Sequence, residues 1–178
     1  MAAEVFEALS YKGPSVSSPS FPGQIVRSFK VDLDLLLGNT TGVAGPGTAI
    51  EANDVIRFFK LPPYAKMLWA KIDSEALDGH ATPTLTASAL VSNGTTTKNF
   101  FVNSTIVQGG GIASTLDGGS SGAQDAFDSD SAVGFVTDDD NYYVDLKFTA
   151  AAATGQNDGI GLTIAYTMLL EPGELPAR

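Results

Sequence analysis

The sequence predicts an all-β protein: a jelly-roll-like antiparallel sandwich or barrel of about eight strands, led by an extended N-terminal arm. Short runs of residues alternate apolar and polar with a period of two, the period of a strand and not of a helix. The connectors between them are rich in Gly, Ser, Thr and Asp, the residues of tight turns. Charged residues make up 17% of the chain, hydrophobic residues 43%, and there are 19 glycines; an average soluble domain has roughly 25% charged residues. Low charge also suits a chain whose surface is partly covered by neighbours.

At 178 residues the chain fits one domain. Its division is an arm over 1–23, a β domain over 24–171 and a short tail over 172–178. The arm ends in a run containing Pro14, Pro19 and Pro22, which blocks ladder pairing and favours extended backbone. It reads either as a disordered tail or as an arm docked on a neighbour, with Phe6, Tyr11 and Phe21 as anchors.

The first strand is Gln24 to Leu36, with Ile25, Phe29, Val31, Leu33 and Leu35 on one face and Ser28, Lys30, Asp32 and Asp34 on the other. Gly38 to Gly47 is a break. Asp54 to Leu61 is β-branched and aromatic on both faces, as in a strand covered on both sides, with Phe58 and Phe59 pointing opposite ways; Pro62-Pro63 ends it. From Met67 to Leu77 the alternation places Leu68, Ala70, Ile72 and Ala76 inward and Trp69, Lys71, Asp73 and Glu75 outward.

Pro83 to Ser92 is a strand with a Ser/Thr outer face. Asn93-Gly94 signals a hairpin turn, and Lys98 to Val102 is its return strand. A short helix lies within Asn103 to Ser114, capped by Asn103 or Ser104. Thr115 to Ser131 is a loop, Ser131 to Val136 a short strand, and Thr137 to Asn141 a turn. Tyr142 to Ala150 turns Tyr142, Val144, Leu146 and Phe148 to one face. Gly159 to Leu170 closes the domain with Ile160, Leu162, Ile164, Tyr166, Met168 and Leu170 in register. The spacing shows no fixed repeat, which argues against a propeller or solenoid.

Chemistry-bearing residues are scarce. Without cysteine, disulfides and thiolate metal sites are excluded. Nucleophilic catalysis needs a base beside the nucleophile, and the single histidine, His80, falls in the turn Asp78-Gly79-His80-Ala81 and reads as a plain loop residue. Gly42 to Gly47 contains Pro46 and lacks the Lys and Ser/Thr that end a phosphate loop, so it reads as a turn. Between Lys98 and Lys147 there is no basic residue, while Asp117, Asp125, Asp128, Asp130, Asp138, Asp139, Asp140 and Asp145 all fall there. These read as solvated or Asx-turn loops, or as oxygen ligands of a divalent ion shared between subunits. Nothing selects a carboxylate pair for glycoside hydrolysis. No cofactor and no metal ligand is assigned.

Ten Lys and Arg stand against 20 Asp and Glu, a net charge of −10, which argues against nucleic acid, whose binding draws on cations. No apolar run reaches the ~18 residues of a membrane-spanning helix, so no membrane partner is expected. The first residues are acidic and lack a basic stretch before an apolar one, unlike a Sec signal. The densest basic-aromatic cluster is Arg57, Lys60, Lys66 and Trp69; with the arm anchors it is the candidate interface, since Trp, Tyr, Phe and Arg are enriched where chains meet.

The run Asp54-Val55-Ile56-Arg57-Phe58-Phe59-Lys60-Leu61-Pro62-Pro63-Tyr64-Ala65-Lys66-Met67-Leu68 resembles the D-V-I…K-L-P-x-x-A pattern of small structural proteins of tailed bacteriophages. An acidic, Ala/Leu-containing piece follows there too, similar to Asp73 to Gly79. Next come a T-x-T strand like Pro83 to Thr86 and an aromatic strand with a small-residue helix like Phe100 to Gly110. By this resemblance, over about Gln24 to Gly111, the chain looks like a member of the capsid decoration (cement) family; Leu116 to Asp140 has no counterpart in it.

The resemblance implies a non-enzymatic, β-rich, trimeric virion protein on the outer surface of the phage head, with the major capsid protein and its own copies as partners. The alternatives are a fibre-type or carbohydrate-binding β-sandwich module, and a head–tail or tail structural protein. A cupin-like enzyme is disfavoured by the single histidine.

Overall fold

The alternating runs pair as one long ribbon folded about a central hairpin. The computed structural model describes residues 5–7, 24–33, 50–116, 129–138, 141–155 and 158–169. Its strands are β1 (Val5–Glu7), β2 (Gln24–Asp32), β3 (Val55–Lys60), β4 (Ala65–Ser74), β5 (Thr86–Ser92), β6 (Thr97–Asn99), β7 (Gly111–Ser114), β8 (Tyr143–Ala150) and β9 (Gly159–Met168), with a helix of one turn, α1 (Ile106–Gly109).

The β5–β6 hairpin is the tip of the ribbon. Behind it β4 pairs with β7, β3 with β8 and β2 with β9, all antiparallel. Antiparallel pairing of β4 with β9 and of β5 with β8 then wraps the ribbon into two sheets. One is ordered β2-β9-β4-β7; the other is β3-β8-β5-β6 with β1 added beside β3. Nested hairpins wrapped into two facing sheets make a jelly roll, so the predicted all-β fold class is the observed one. The added β1 pairs in parallel with β3, Val5 opposite Val55 and Glu7 opposite Arg57.

Alternation places the core. On β8 the buried residues Val144, Leu146 and Phe148, and on β9 Ile160, Leu162, Ile164 and Tyr166, face each other across the sandwich as the sequence pattern requires. β2 contributes the partly buried Ile25, Phe29 and Val31. Each large apolar side chain taken from water stabilises the fold by roughly 1.5–3 kcal/mol.

Two bulges correct the sequence reading. The β3–β8 register shifts between Arg57 and Phe59, so an extra residue lets Phe58 and Phe59 both turn inward, not to opposite faces. Both are buried, and both lie against Phe29 of the other sheet, with ring centroids 6.3 and 4.9 Å away. The β4–β9 register shifts between Met67 and Trp69. Ahead of it the inward residues are Ala65 and Met67, and Leu68 is the half-buried bulge residue instead of an inward one. A bulge inserts one residue and flips the alternation beyond it, which a period-two reading of the sequence cannot anticipate.

Other elements differ in detail. The Asn93-Gly94 signal is right, but the turn runs from Asn93 to Thr96: the Asn93 N–H donates to the Thr96 carbonyl, and Asn93 Oδ1 accepts from the Thr95 and Thr96 N–H groups. The return strand is only Thr97–Asn99, and Phe100 and Phe101 turn into the core. α1 starts after Thr105; Ser104 Oγ accepts the Ile106 N–H at 3.4 Å. β7 follows at once, where no strand was expected.

Ser131 to Val136 is a turn held by single bridges, Asn99 with Ser131 and Lys66 with Val136, in place of the predicted strand. Thr137, buried, ties this turn to the β3–β4 corner by accepting the Ala65 N–H and donating to the Pro62 carbonyl, both at 2.9 Å. The break over 38–47 and the tail over 172–178 lie outside the described residues.

Candidate functional site

The outward face of the five-stranded sheet carries a fixed cation. Alternation on β8 sends Tyr143, Asp145 and Lys147 outward, and the β3 register sets Arg57 directly opposite Asp145 and Lys60 opposite Tyr143. Arg57 Nε and Nη2 donate to Asp145 Oδ1 and Oδ2, each at 3.0 Å. The guanidinium carbon lies 4.2 Å from the Tyr143 ring centroid, within the range of a cation–π contact.

The Asp145 side chain is 5% exposed and that of Arg57 27%, so this is a largely buried pair on a sheet surface. Burial pushes the Asp145 carboxyl up; the Arg57 hydrogen bonds and charge pull it down without overcoming that rise. Lys60 is exposed and Lys147 half-buried on the same face. The bidentate Asp145 carboxylate offsets the Arg57 charge, so the positive charge this face offers a partner rests on Lys60 and Lys147.

The residues that the sequence groups as one patch divide between two sheets. Arg57 and Lys60 belong to β3, Lys66 and Trp69 to β4 of the four-stranded sheet. Lys66 is exposed; Trp69 is half-buried opposite Ala165, whose other neighbour in register is Val26, 52% exposed. Trp69 and Val26 thus flank a small residue on that outward face. Of the arm anchors, Phe6 lies in β1 beside Ile56 in register, whereas Tyr11 and Phe21 lie outside the described residues.

His80 is exposed, and its Nδ1 is engaged by Thr82, from the backbone N–H at 3.1 Å and the hydroxyl at 3.0 Å. Among the described residues no three of His, Cys, Asp and Glu gather where they could hold a metal ion. Of the acidic stretch, Asp130 lies near Lys98, 3.9 Å away, and Asp138 accepts from the Tyr142 hydroxyl at 3.5 Å. Asp117, Asp125, Asp128, Asp139 and Asp140 lie outside the described residues.

One residue stands out only in three dimensions. Asp78, buried, accepts backbone N–H groups of His80, Thr84, Leu85, Ala153 and Thr154 at 2.8–3.3 Å. It ties the β4–β5 connection to the segment after β8. Burial opposes its charge, but the N–H groups of Ala153, Thr154, Thr84 and Leu85 together hold its carboxyl well below the usual carboxylate range. The Asp-Gly spelling of Asp78-Gly79 announces a turn and nothing of this role, because four of its five donors lie six or more residues further along or across the domain.

No family model matches the chain, and no curated protein matches it either. Two solved structures do. A chain from the capsid of Ralstonia phage GP4 is 21% identical with a TM-score of 0.66, the match covering 94% of this chain and 99% of that one. A chain from the capsid asymmetric unit of cyanophage Pam1 is 17% identical with a TM-score of 0.54, covering 89% and 95%. At these identities the likeness is one of fold, and it runs nearly end to end.

Proposed function

We propose that this chain is a structural protein of a tailed-phage particle. It is a decoration or cement subunit on the outside of the head, where homotrimers bridge neighbouring copies of the major capsid protein. The observation that carries this reading is the near-complete mutual coverage with the GP4 capsid chain, 94% and 99%. Nearly the full length of this chain shares its architecture with nearly the full length of a chain of that capsid. The resemblance of Asp54 to Leu68 to phage structural proteins supports the same reading from sequence.

The mechanism is mechanical. A subunit that binds assembled shells and not free capsid protein shifts the equilibrium toward the shell by mass action, and many modest contacts per particle add through multivalency. The contacts assigned are the arm and the Arg57–Lys60 face of β3. The arm takes part because extended segments add to sheet edges; the face does so because it presents positive charge on a chain of net charge −10.

Quantifying the chain by mass spectrometry in purified particles from its source tests the reading. Copy numbers comparable to the major shell protein are expected. A handful of copies would place it in the tail or a fibre, and its absence from particles would overturn the virion assignment.

A further inference from the structure

β1 is bound to the domain differently from every other strand. Within the described residues its ladder is three residues long, Val5 to Glu7 against Val55 to Arg57, and parallel, the pairing that is weaker per residue. The remaining eight strands are paired with one another as a closed set of nested hairpins. Removing β1 would break one short ladder and expose the Val55–Arg57 edge of β3, and sheet edges recruit strands from other chains.

The tether points the same way. From β1 to the start of β2 the chain has 16 residues, 8–23, which include Pro14, Pro19 and Pro22. At ~3.3 Å per residue they reach at most roughly 50 Å, more than the breadth of a domain of this size. Prolines stiffen a tether and lengthen its mean span. A tether of that reach is long enough to carry the strand to the edge of an adjacent copy as well as to its own. A chain's own β1 and a neighbour's make the same ladder, including the placement of Glu7 beside Arg57, so the local contacts cancel and tether geometry decides.

We propose that β1 is exchanged between copies: in the assembled protein, Val5–Glu7 of one chain forms the parallel strand on β3 of the next. The occupant of the β3 edge is a second copy of this chain. The exchange links copies without new chemistry and leaves each domain folded as described. It goes beyond the shell-binding reading and does not depend on it.

The absence of cysteine makes the test clean. Val5→Cys and Val55→Cys are introduced singly and together, and folding is checked by thermal melting. The proteins are oxidised over a concentration range that spans self-association. Exchange predicts that the double variant forms disulfide-linked ladders of two or more chains on non-reducing gels. It also predicts that a mixture of the single variants gives Val5→Cys–Val55→Cys heterodimers well above those from a Val5→Cys and Thr97→Cys mixture, in which the second cysteine lies on the opposite edge strand. Linked monomer alone at every concentration would show that the strand stays at home and would overturn the proposal. So would the lack of any linkage, which would remove β1 from the β3 edge altogether. Either result leaves the particle copy number, and the function read from it, untouched.

Discussion

Lys30 crosses directly over Gly159. A Cβ on Gly159 would stand 2.6 Å from Lys30 Cε, and through this gap the Lys30 ammonium reaches Glu75 Oε1 at 2.8 Å, while Glu75 Oε2 accepts the Gly159 N–H at 3.0 Å. Two residues on, Gly161 has a different neighbour: a Cβ there would meet the Phe29 carbonyl oxygen at 3.1 Å. The lysine tip can move away, whereas the backbone of the adjacent strand cannot. Gly159→Ala should therefore lower the melting temperature slightly, by disturbing an exposed ion pair. Gly161→Ala should cost about 1–3 kcal/mol as overpacking against fixed backbone. Equal thermal shifts for the two variants would contradict the assignment.

Asp78 should dominate acid stability. Its carboxyl is lowered in the folded state, so it contributes stability that is present above the ordinary carboxylate value of ~3.9 and lost as pH falls below it. Asp78→Asn should destabilise the protein by about 2–4 kcal/mol at neutral pH, since buried N–H donors lose their charged acceptor. It should also flatten the fall of stability below about pH 4. Urea melts of both proteins between neutral and acid pH read both effects. Asp145 has the opposite sign: its raised carboxyl means that acidification relieves, and does not remove, its contribution.

The Arg57–Asp145 pair should behave as a buried pair. Arg57→Ala leaves the Asp145 carboxylate enclosed and without its guanidinium, at a cost of roughly 2–4 kcal/mol. Arg57→Met with Asp145→Leu together should be close to neutral, because both desolvation penalties vanish. A double variant as unstable as the single one would show that the pair is worth more than its apolar replacement.

Phe58 is fully buried at a bulge, and its ring helps to join the sheets through Phe29. Phe58→Ala should cost about 3–5 kcal/mol in chemical denaturation. A loss below about 1 kcal/mol would mean that the bulge collapses into the space.

Because Arg57 is structural, charge reversal for a shell-binding test belongs at Lys60. Lys60→Glu should weaken co-sedimentation with shells without lowering the melting temperature, while Lys66→Glu, on the other sheet, should not weaken it. Deleting residues 1–22 should leave a folded domain that no longer binds shells. Full binding by the truncated protein would remove the arm from the contact.

The sequence by itself determined the fold class. Tyr142 to Phe148 and Ile160 to Tyr166 alternate so regularly that only strands gather their large apolar residues on one face, and Asn93-Gly94 marks the hairpin at the tip of the ribbon. These are local signals, written within a few residues. What the tertiary structure alone decided is non-local. The bulges at Phe58 and Leu68 are register shifts against the partner strands; one turns Phe58 and Phe59 both inward, and the other takes Leu68 off the inward face. The separation of Arg57 and Lys60 from Lys66 and Trp69 follows from the Pro62-Pro63 corner, which sends neighbours in sequence to different sheets. Asp78 acquires its role from N–H groups as distant as Ala153 and Thr154, which come within hydrogen-bond reach only once the sheets have closed on each other.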